Sequence, residues 1–355
     1  MAARLPIPVL VALVAGGLVS ALGLAVTRHL ETAGIEADLQ RRAGNAVQEL
    51  SGELERQSWA MEMLRALWNA SEEVTRAEFA TFTAPLLTRY SSIVALQWAP
   101  RVTQGEREQF ERATAAEGVE DFVIRKEGEE GELVPATPRV VHYPVLYAEP
   151  LSEEAGVLGF DLGSGPDRLS TLERAMASGE MQASVPLRRL QDPPDETCMM
   201  LALPVYRGPE LSGFVVGWLR LERIAERLFY RLAGDGLSVA LADVTDPGAP
   251  LPLHTPRGDH AEDLRAELPL SFGGRAWSAV CSAGPQFAAS RRTLLPWLVL
   301  ASGLGMTVLV ALWLGAHERR ARDLSAANAR LLQQVAATAA AREEARVAAE
   351  GREPS

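Results

Sequence analysis

Two uninterrupted apolar segments dominate the pattern of hydrophobic and polar residues. They cover residues 7–27 and 294–316, and neither contains a charged side chain. Each exceeds the roughly 20 residues that an α-helix needs to cross about 30 Å of hydrocarbon. Because backbone groups in lipid must be hydrogen-bonded internally, both segments are predicted to be transmembrane helices.

The first segment also has a second interpretation, as a cleaved signal peptide. Its small-residue sequence Ala21-Leu22-Gly23 is only a weak cleavage site, and the segment is longer than the apolar part of most signal peptides. An uncleaved anchor is therefore favoured. Arginines flank both segments, and their distribution slightly favours a cytoplasmic position for both termini.

A helical pattern follows the first segment. Apolar residues recur at spacings of three and four, and proline is absent between Val9 and Ala84. The stripe consists of Val47, Leu50, Leu54, Met61, Leu64 and Trp68. We predict a stalk helix over residues 28–78 that continues outward from the membrane. Its stripe needs a partner, either the following region or the same helix of a second chain.

The region from Phe79 onward has a mixed pattern. Short segments rich in β-branched and aromatic residues alternate with turn residues, which predicts an α+β fold with antiparallel sheets. Strands are predicted at 93–98, 122–126, 140–147, 157–162, 198–206, 214–221, 237–243 and 277–281, and helices at 106–117, 166–178 and 222–232.

An alanine-rich helical segment, residues 317–350, follows the second apolar segment. Its residues fit a heptad repeat with Leu324, Leu331 and Thr338 at d and Asn328, Val335 and Arg342 at a. Only about two heptads fit well, so a short parallel coiled coil and a single solvated helix both remain open.

Composition and motifs narrow the function. The net charge of −11 disfavours nucleic acid as a partner, because phosphate binding needs clustered Lys and Arg. Cys198 and Cys281 are too few for a disulfide framework or a CxxC zinc site; we interpret them as buried free thiols, with a single bridge as the alternative. The sequence contains no GxSxG, HExxH or SHELRTP-like motif, so no enzymatic activity, cofactor or metal is predicted.

Five segments between Ser91 and Tyr206 resemble the CHASE domain, the extracytoplasmic sensor module of cytokinin-type receptor kinases and many bacterial membrane receptors. They read SIVALQWAPRV, EREQFERA, VVHYPVLYAEP, VLGFDLGSGPDRLSTLERAMASGEMQASVPLRRL and LALPVYRG, in the order and spacing of the family. Three later segments, SGFVVGWLRLERIAERLF, VALADVTDP and WSAVCS, resemble the membrane-proximal part of those receptors. The resemblance covers residues 79–283.

The resemblance implies that the stalk helix is followed by two PAS-like antiparallel-sheet subdomains. The membrane-distal one, residues 79–211, is the CHASE core that holds the ligand, and the membrane-proximal one covers residues 212–290. The resemblance also implies that this region lies outside the cytoplasm, flanked by the two transmembrane helices, and that residues 317–350 form a cytoplasmic helix.

The expected protein is a bacterial receptor in the cytoplasmic (inner) membrane, with the sensor in the periplasm or outside the cell. It would be a parallel homodimer that senses an unknown small molecule. The second transmembrane helix would pass a conformational change to a cytoplasmic effector domain or protein that this sequence does not contain. The alternative is a membrane scaffold whose CHASE-like domain binds a protein partner.

Candidate ligand-binding residues follow from the strand that walls the family's pocket. His142 and Tyr143 lie at its start and Tyr147 at its end, although alternate residues of a strand face opposite ways. In plant members an Asp just before this strand contacts the adenine of the hormone. Val140 occupies that place here, and an apolar side chain cannot accept hydrogen bonds from a purine. A cytokinin is therefore not the expected ligand.

Two further candidates are polar residues beyond this strand. Asp161 precedes a turn and a proline-led helix, and Arg188 could bind an anionic ligand through two hydrogen bonds. Each also has a structural interpretation. Asp161 can cap backbone N–H groups near the helix start, and Arg188 can be a solvated surface residue.

Overall fold

The computed structural model describes residues 6–129, 131–193, 196–256 and 264–350. The helices are α1 (Ile7–Ala70), α2 (Arg76–Arg89), α3 (Arg107–Ala116), α4 (Leu151–Glu154), α5 (Pro166–Ser178), α6 (Leu221–Gly234), α7 (Pro285–Arg291) and α8 (Leu295–Glu350). The strands are β1 (Ile93–Pro100), β2 (Val102–Thr103), β3 (Arg125–Glu127), β4 (Leu133–Pro135), β5 (Val141–His142), β6 (Tyr147–Glu149), β7 (Gln182–Leu187), β8 (Cys198–Arg207), β9 (Glu210–Leu219), β10 (Leu237–Asp243), β11 (Leu251–His254), β12 (Arg265–Phe272) and β13 (Arg275–Ala283). This is the predicted α+β fold, with antiparallel sheets between two long helices.

The chain forms two compact units. One contains the residues up to Ile35 together with those from Arg291 onward, and the other contains Glu36–Ser290. In the first unit, α1 and α8 carry the two apolar segments. Both helices are long and apolar enough to cross a membrane, and only 11% and 6% of the most apolar windows are buried. Apolar surface of this length, left uncovered by protein, is what a lipid-facing helix presents.

Small residues bring α1 and α8 close together within the first unit. A Cβ atom at Gly16 would overlap the side chain of Thr307, and a Cβ atom at Gly303 would overlap that of Ser20. Close approach of backbones at glycine and hydroxyl residues is typical of helix pairs in membranes.

The stalk helix ends at Ala70, so the predicted stalk segment 28–78 also contains the link to α2 and the first residues of α2. The reason is a capping box at the start of α2. The Thr75 hydroxyl accepts a hydrogen bond from the backbone N–H of Glu78, and the Glu78 carboxylate accepts one from the backbone N–H of Thr75 at 2.9 Å. These reciprocal bonds start a new helix and separate it from α1.

The predicted stripe of α1 is buried, against the region that follows it in the same chain. Leu50, Leu54, Met61, Leu64 and Trp68 are each at most 5% exposed. Trp68 stacks on Trp98 of β1 with ring centroids 4.3 Å apart.

The larger sheet contains five antiparallel strands in the PAS-like order β6-β1-β9-β8-β7. One face packs on α1, and the other covers a core closed by α5. Strand β9 pairs with both β8 and β1, so the sheet extends to Leu219. The predicted boundary at 211/212 would cut the β8–β9 hairpin and is therefore wrong; the second subdomain begins with α6.

The predicted strand at 157–162 is also wrong. This segment contains two short 3₁₀ turns and two isolated bridges instead. Gly159 has a φ of +81°, and a Cβ there would overlap the carbonyl oxygen of Val123. The left-handed backbone at Gly159 breaks the extended conformation.

The smaller sheet has the order β11-β10-β13-β12, and its strands β10 and β11 contact α6. At the β12–β13 turn, the carbonyl of Gly273 accepts a hydrogen bond of 2.8 Å from the backbone N–H of Ala183 in β7. Helix α6 forms two ion pairs with the stalk helix, Arg227–Glu53 at 2.7 Å and Arg231–Glu49 at 2.8 Å, and its C-cap residue forms a third, Asp235–Arg42 at 2.5 Å.

Cys198 and Cys281 are buried free thiols, as interpreted from the sequence. Burial raises the pKa of Cys281 to about 11. A thiol with so high a pKa remains protonated at neutral pH and is unreactive.

Candidate functional site

His142 and Asp161 form the centre of a buried polar cluster in the larger subdomain. Both side chains are 0% exposed, and His142 Nδ1 lies 2.8 Å from Asp161 Oδ2. The other ring nitrogen, Nε2, lies 3.1 Å from Gln104 Oε1, which also accepts a hydrogen bond from the backbone N–H of Arg139. Both ring nitrogens therefore have protein partners.

Asp161 also organises the backbone around it. Its Oδ1 accepts hydrogen bonds from the backbone N–H groups of Tyr143, at 2.8 Å, and Gly163, at 3.0 Å. It thereby caps the 3₁₀ turn Leu162–Ser164, which is the structural interpretation of this residue. Because its oxygens already accept hydrogen bonds from the protein, Asp161 holds the backbone of the subdomain core in its conformation.

The two candidate tyrosines lie apart from each other. Tyr143 packs edge-on against Phe214, with centroids 5.2 Å apart, and is close to the His142 cluster. The Tyr147 hydroxyl instead donates to the Val74 carbonyl at 3.0 Å, next to α2. Burial raises the pKa of both phenols. Two of the three strand candidates, His142 and Tyr143, are thus brought together and Tyr147 is not.

Val140 and Arg188 are both at the surface. Val140 is 86% exposed, so its apolar side chain does not line an enclosed pocket and does not constrain the ligand. Val140 therefore gives no reason to exclude a cytokinin as the ligand. The Arg188 side chain is 45% exposed and lies 3.5 Å from Glu127, a long ion pair.

The structure adds a residue that the sequence interpretation missed, Arg168 of α5. Its guanidinium carbon lies 5.2 Å from the centre of the Phe160 ring and 6.0 Å from that of Trp218. Its Nη2 donates to the Arg188 carbonyl at 3.1 Å, whereas its buried Nε has no partner. Burial lowers the pKa of this guanidinium. A signal existed, because Arg168 precedes buried Leu172 by four positions and so shares the inward face of α5.

A buried polar pair lies beside Arg168 on the same face of the sheet. The Trp218 indole N–H donates to Gln97 Oε1 at 3.0 Å, and both residues are at most 3% exposed. The core of the larger subdomain therefore combines aromatic rings with amide and guanidinium groups.

Open clefts of the structure are lined by other residues. One cleft of about 650 Å³ lies between α2, the beginning of β1 and Arg220. Another cleft, of about 720 Å³, lies beside α6 and β10. At the first, Arg189 binds Asp192 through two hydrogen bonds of 2.8 and 2.5 Å. Burial alone would raise the pKa of Asp192, but the bonds and charge of Arg189 outweigh it and hold the pKa below its ordinary value.

A model of the CHASE domain family matches residues 72–254, just over half of the 355 residues. The chain belongs to the CHASE domain family. The match includes the whole five-stranded sheet, α6, β10 and β11. The CHASE domain is a sensory module, so the chain has a role in extracellular ligand sensing during signal transduction. Within the described residues, no group of three or more His, Cys, Asp or Glu side chains could hold a metal ion.

A curated relative is the hybrid signal transduction histidine kinase A of Dictyostelium discoideum. It is 22% identical over 361 residues, which cover 91% of this chain and 17% of the kinase. The chain thus spans about a sixth of the length of that relative.

The solved structures that resemble this chain are ligand-binding domains of chemoreceptors. The periplasmic sensory domain of Campylobacter jejuni Tlp1 has a TM-score of 0.46 and 10% identity, covering 74% of this chain and 99% of its own. The ligand-binding domain of Pseudomonas fluorescens CtaA with L-isoleucine has a TM-score of 0.43 and 16% identity, covering 75% of this chain and 99% of its own. The ligand-binding domain of Pseudomonas aeruginosa PctC with GABA has a TM-score of 0.40 and 15% identity, covering 70% of this chain and 99% of its own.

Proposed function

We propose that this chain is a transmembrane receptor that binds a small molecule outside the cytoplasm and passes the signal through its second transmembrane helix. One observation carries the proposal: the CHASE domain lies between two helices that are long and apolar enough to cross a membrane. Helix α1 runs without a break from its apolar segment to Ala70, whose preceding turns pack on the sensor sheet. The proposed domains are the first transmembrane helix (7–27), the stalk helix (28–70), the larger subdomain (76–219), the smaller subdomain (221–290), the second transmembrane helix (294–316) and the cytoplasmic helix (317–350).

The ligand would bind in the larger, membrane-distal subdomain and shift the protein between two arrangements. A ligand changes such an equilibrium only by its difference in affinity for the two states. In this subdomain, the open cleft of about 650 Å³ between α2, the beginning of β1 and Arg220 offers space for a small molecule.

The cytoplasmic part would act as a homodimer that an effector domain or protein reads. Helix α8 continues to Glu350, and three apolar residues on it are exposed in the single chain: Leu324 (66%), Leu331 (57%) and Val335 (64%). They occupy the a and d positions of the heptad pattern, and pairing with a second chain would cover them.

The topology is tested by reporter fusions in a Gram-negative host. Alkaline phosphatase inserted after Gly248, in the exposed turn between β10 and β11, should be active, because it folds only outside the cytoplasm. The same enzyme fused at the C-terminus should be inactive, and a green fluorescent protein fused there should fluoresce. The reversed pattern would refute the proposal.

The relay is tested with a chimera in which residues 1–342 precede the cytoplasmic domain of a well-characterised receptor kinase. Trp98→Ala removes a ring that stacks on the stalk helix at 4.3 Å and should change autophosphorylation by at least about twofold. Arg112→Gln, at an exposed position of α3, is the matched control. Equal kinase activity in all three chimeras, at equal folded amounts in the membrane, would contradict a relay.

A further inference from the structure

The cleft of about 720 Å³ lies in the smaller subdomain, apart from the cleft of the larger one. Its volume is within the range of about 300–1,000 Å³ that small-molecule sites have. One wall is a single face of α6, because its residues recur at spacings of three and four. The other wall is formed by the beginning of β10 and the end of β11. The residues of the α6 face are Glu222, Ala225, Glu226, Phe229, Tyr230 and Ala233.

The charged groups of this cleft have one sign. Its described lining contains Glu222 and Glu226, one turn apart on α6, and no Lys or Arg. The cleft of the larger subdomain is different, because Arg189, Arg220 and Arg223 line it. A cleft lined by charge of one sign concentrates ligands of the opposite sign. The cleft beside α6 therefore favours a cation.

His254 of β11 adds a mostly buried hydrogen-bonding group to the same cleft. Its side chain is 10% exposed, and its Nδ1 lies 2.9 Å from Glu222 Oε2. A carboxylate beside Nδ1 favours the tautomer with the proton on that nitrogen, which leaves Nε2 as an acceptor. Among the described residues, Nε2 has no hydrogen-bond partner. An unpaired acceptor costs free energy that a donor on a ligand would recover.

Aromatic side chains supply the apolar part of the cleft. Phe229 is 7% exposed and packs against the ring of His254, with centroids 5.5 Å apart. Tyr230 is 81% exposed, so its ring is accessible to a ligand. Aromatic rings attract cations through their faces and bury the hydrocarbon that is attached to them. These walls therefore suit a cation with an apolar body.

We propose that this cleft binds an organic amine in its protonated form. One N–H of the ammonium group donates to His254 Nε2, and the carboxylates of Glu222 and Glu226 balance its charge. The apolar body of the amine contacts Phe229 and Tyr230. The inference goes beyond the proposed receptor function, which places the sensed ligand in the larger subdomain.

The first experiment measures the thermal unfolding temperature of the full chain in detergent, at constant pH. The probes are phenethylamine, phenethyltrimethylammonium, the neutral phenethyl alcohol and the anionic phenylpropionate. Phenethylamine should raise the unfolding temperature in a concentration-dependent way, because a ligand of the folded state stabilises it by mass action. The alcohol and the anion should have no effect at the same concentrations. The trimethylammonium compound should bind about tenfold more weakly, because it keeps the charge but has no N–H to donate.

Substitutions separate the hydrogen bond from the charge. His254→Phe keeps a ring but removes the acceptor, so it should weaken phenethylamine binding about tenfold and abolish the preference over the trimethylammonium compound. The double variant Glu222→Gln, Glu226→Gln should weaken the binding of both cations about threefold or more, because the negative charge is lost. Glu108→Gln, at an exposed position of α3, is the matched control and should leave binding unchanged.

A blocking variant locates the site without changing its polar groups. Ala233→Trp fills the cleft from an exposed position of α6 and should abolish phenethylamine binding. Ala113→Trp, at an exposed position of α3, is its control. Because Ala233 is exposed, this variant tests the location of the site even where His254→Phe fails to fold.

Four outcomes would overturn the proposal. They are no response to phenethylamine, an equal response to the alcohol or the anion, equal binding of the two cations by the unmodified chain, and binding that Ala233→Trp leaves intact. The reporter fusions and the chimera test the receptor function independently of these results.

Discussion

A single buried carboxylate, Asp161, connects the end of β5 with the 3₁₀ turn Leu162–Ser164 in the CHASE domain. It binds the ring of His142, the backbone N–H of Tyr143 and the backbone N–H of Gly163. Because these donors are buried, loss of the acceptor leaves them unsatisfied. Both oxygens of Asp161 therefore have a role in holding this part of the domain together.

Asp161→Ala should reduce the free energy of unfolding by about 2–4 kcal/mol, because buried donors lose their acceptor. Asp161→Asn, which keeps one acceptor oxygen, should cost less. Asp167→Ala, at an exposed position of α5, is the control and should change stability by about 0.5 kcal/mol or less. Denaturant unfolding followed by tryptophan fluorescence measures all three. Equal stability of the Asp161→Ala and Asp167→Ala variants would contradict the capping role.

Stability should also depend on pH through Asp192 and Asp243. Burial raises the pKa of each carboxyl, but the hydrogen bonds and charges of Arg189 and Arg275 outweigh it, so both pKa values lie below normal. A carboxyl with a lowered folded-state pKa contributes its full stabilisation above its unfolded pKa of about 3.9 and loses it as the pH falls. The free energy of unfolding should therefore decrease below about pH 4. Asp192→Asn should flatten that decrease; an unchanged slope would contradict the assignment.

The candidate residues show what the sequence could predict at this scale. The sequence chose His142, Tyr143 and Asp161, and these three are indeed neighbours. It could not predict that His142 and Asp161 bind each other, because that contact spans 19 positions and depends on the irregular turn around Gly159. The sequence analysis selected Arg188 and did not consider Arg168, because only the helix phase of α5 places Arg168 inward.

At the scale of elements, the long periodic segments were predictable and the short strands were not. Helix α5 and strand β10 have the predicted bounds, because apolar spacing and a proline or glycine define their ends. Helix α2 was missed because Pro85 lies inside it, where proline normally ends a helix. Strands β7, β11 and β12 contain prolines or alternate weakly, and neighbouring strands determine their conformation.

The contact between the two apolar helices gives a prediction with a close control. Gly16→Leu should weaken the packing of α1 on α8, because the new side chain would overlap Thr307. The expected loss is about 1–3 kcal/mol, typical of an oversized side chain in a close-packed contact. Gly17→Leu is the control, since no atom lies within 4 Å of a Cβ at Gly17. Thermal unfolding in detergent compares them, and equal unfolding temperatures would contradict the contact.

At the scale of the whole molecule, two sets of contacts connect parts of the second unit: the β12–β13 turn at Gly273 and the ion pairs of α6. The β12–β13 turn brings Gly273 against β7 of the larger sheet, and α6 pairs with the stalk helix. The two subdomains therefore contact each other through a backbone hydrogen bond, from Ala183 to Gly273.

Gly273→Ala should weaken that contact. Its φ is +55°, and a Cβ would lie 2.7 Å from the Ala183 backbone nitrogen. Gly208→Ala is the control, because Gly208 has a similar φ of +59° with open space around it. Both variants carry the left-handed backbone cost of about 1 kcal/mol, and Gly273→Ala should lose roughly 1–3 kcal/mol more through the steric overlap. Similar unfolding free energies for the two variants would contradict the subdomain contact.

The unbroken course of α1 also gives its sequence length an angular meaning. Each residue turns a helix by about 100°, so one residue inserted after Gly52 rotates the part of the buried stripe before it by about 100° relative to the part after it. Eighteen inserted residues make about five full turns and restore the original azimuth, although they lengthen the rod by roughly 27 Å. The number of residues between Leu50 and Leu54 therefore fixes a direction around the helix axis as well as a distance along it.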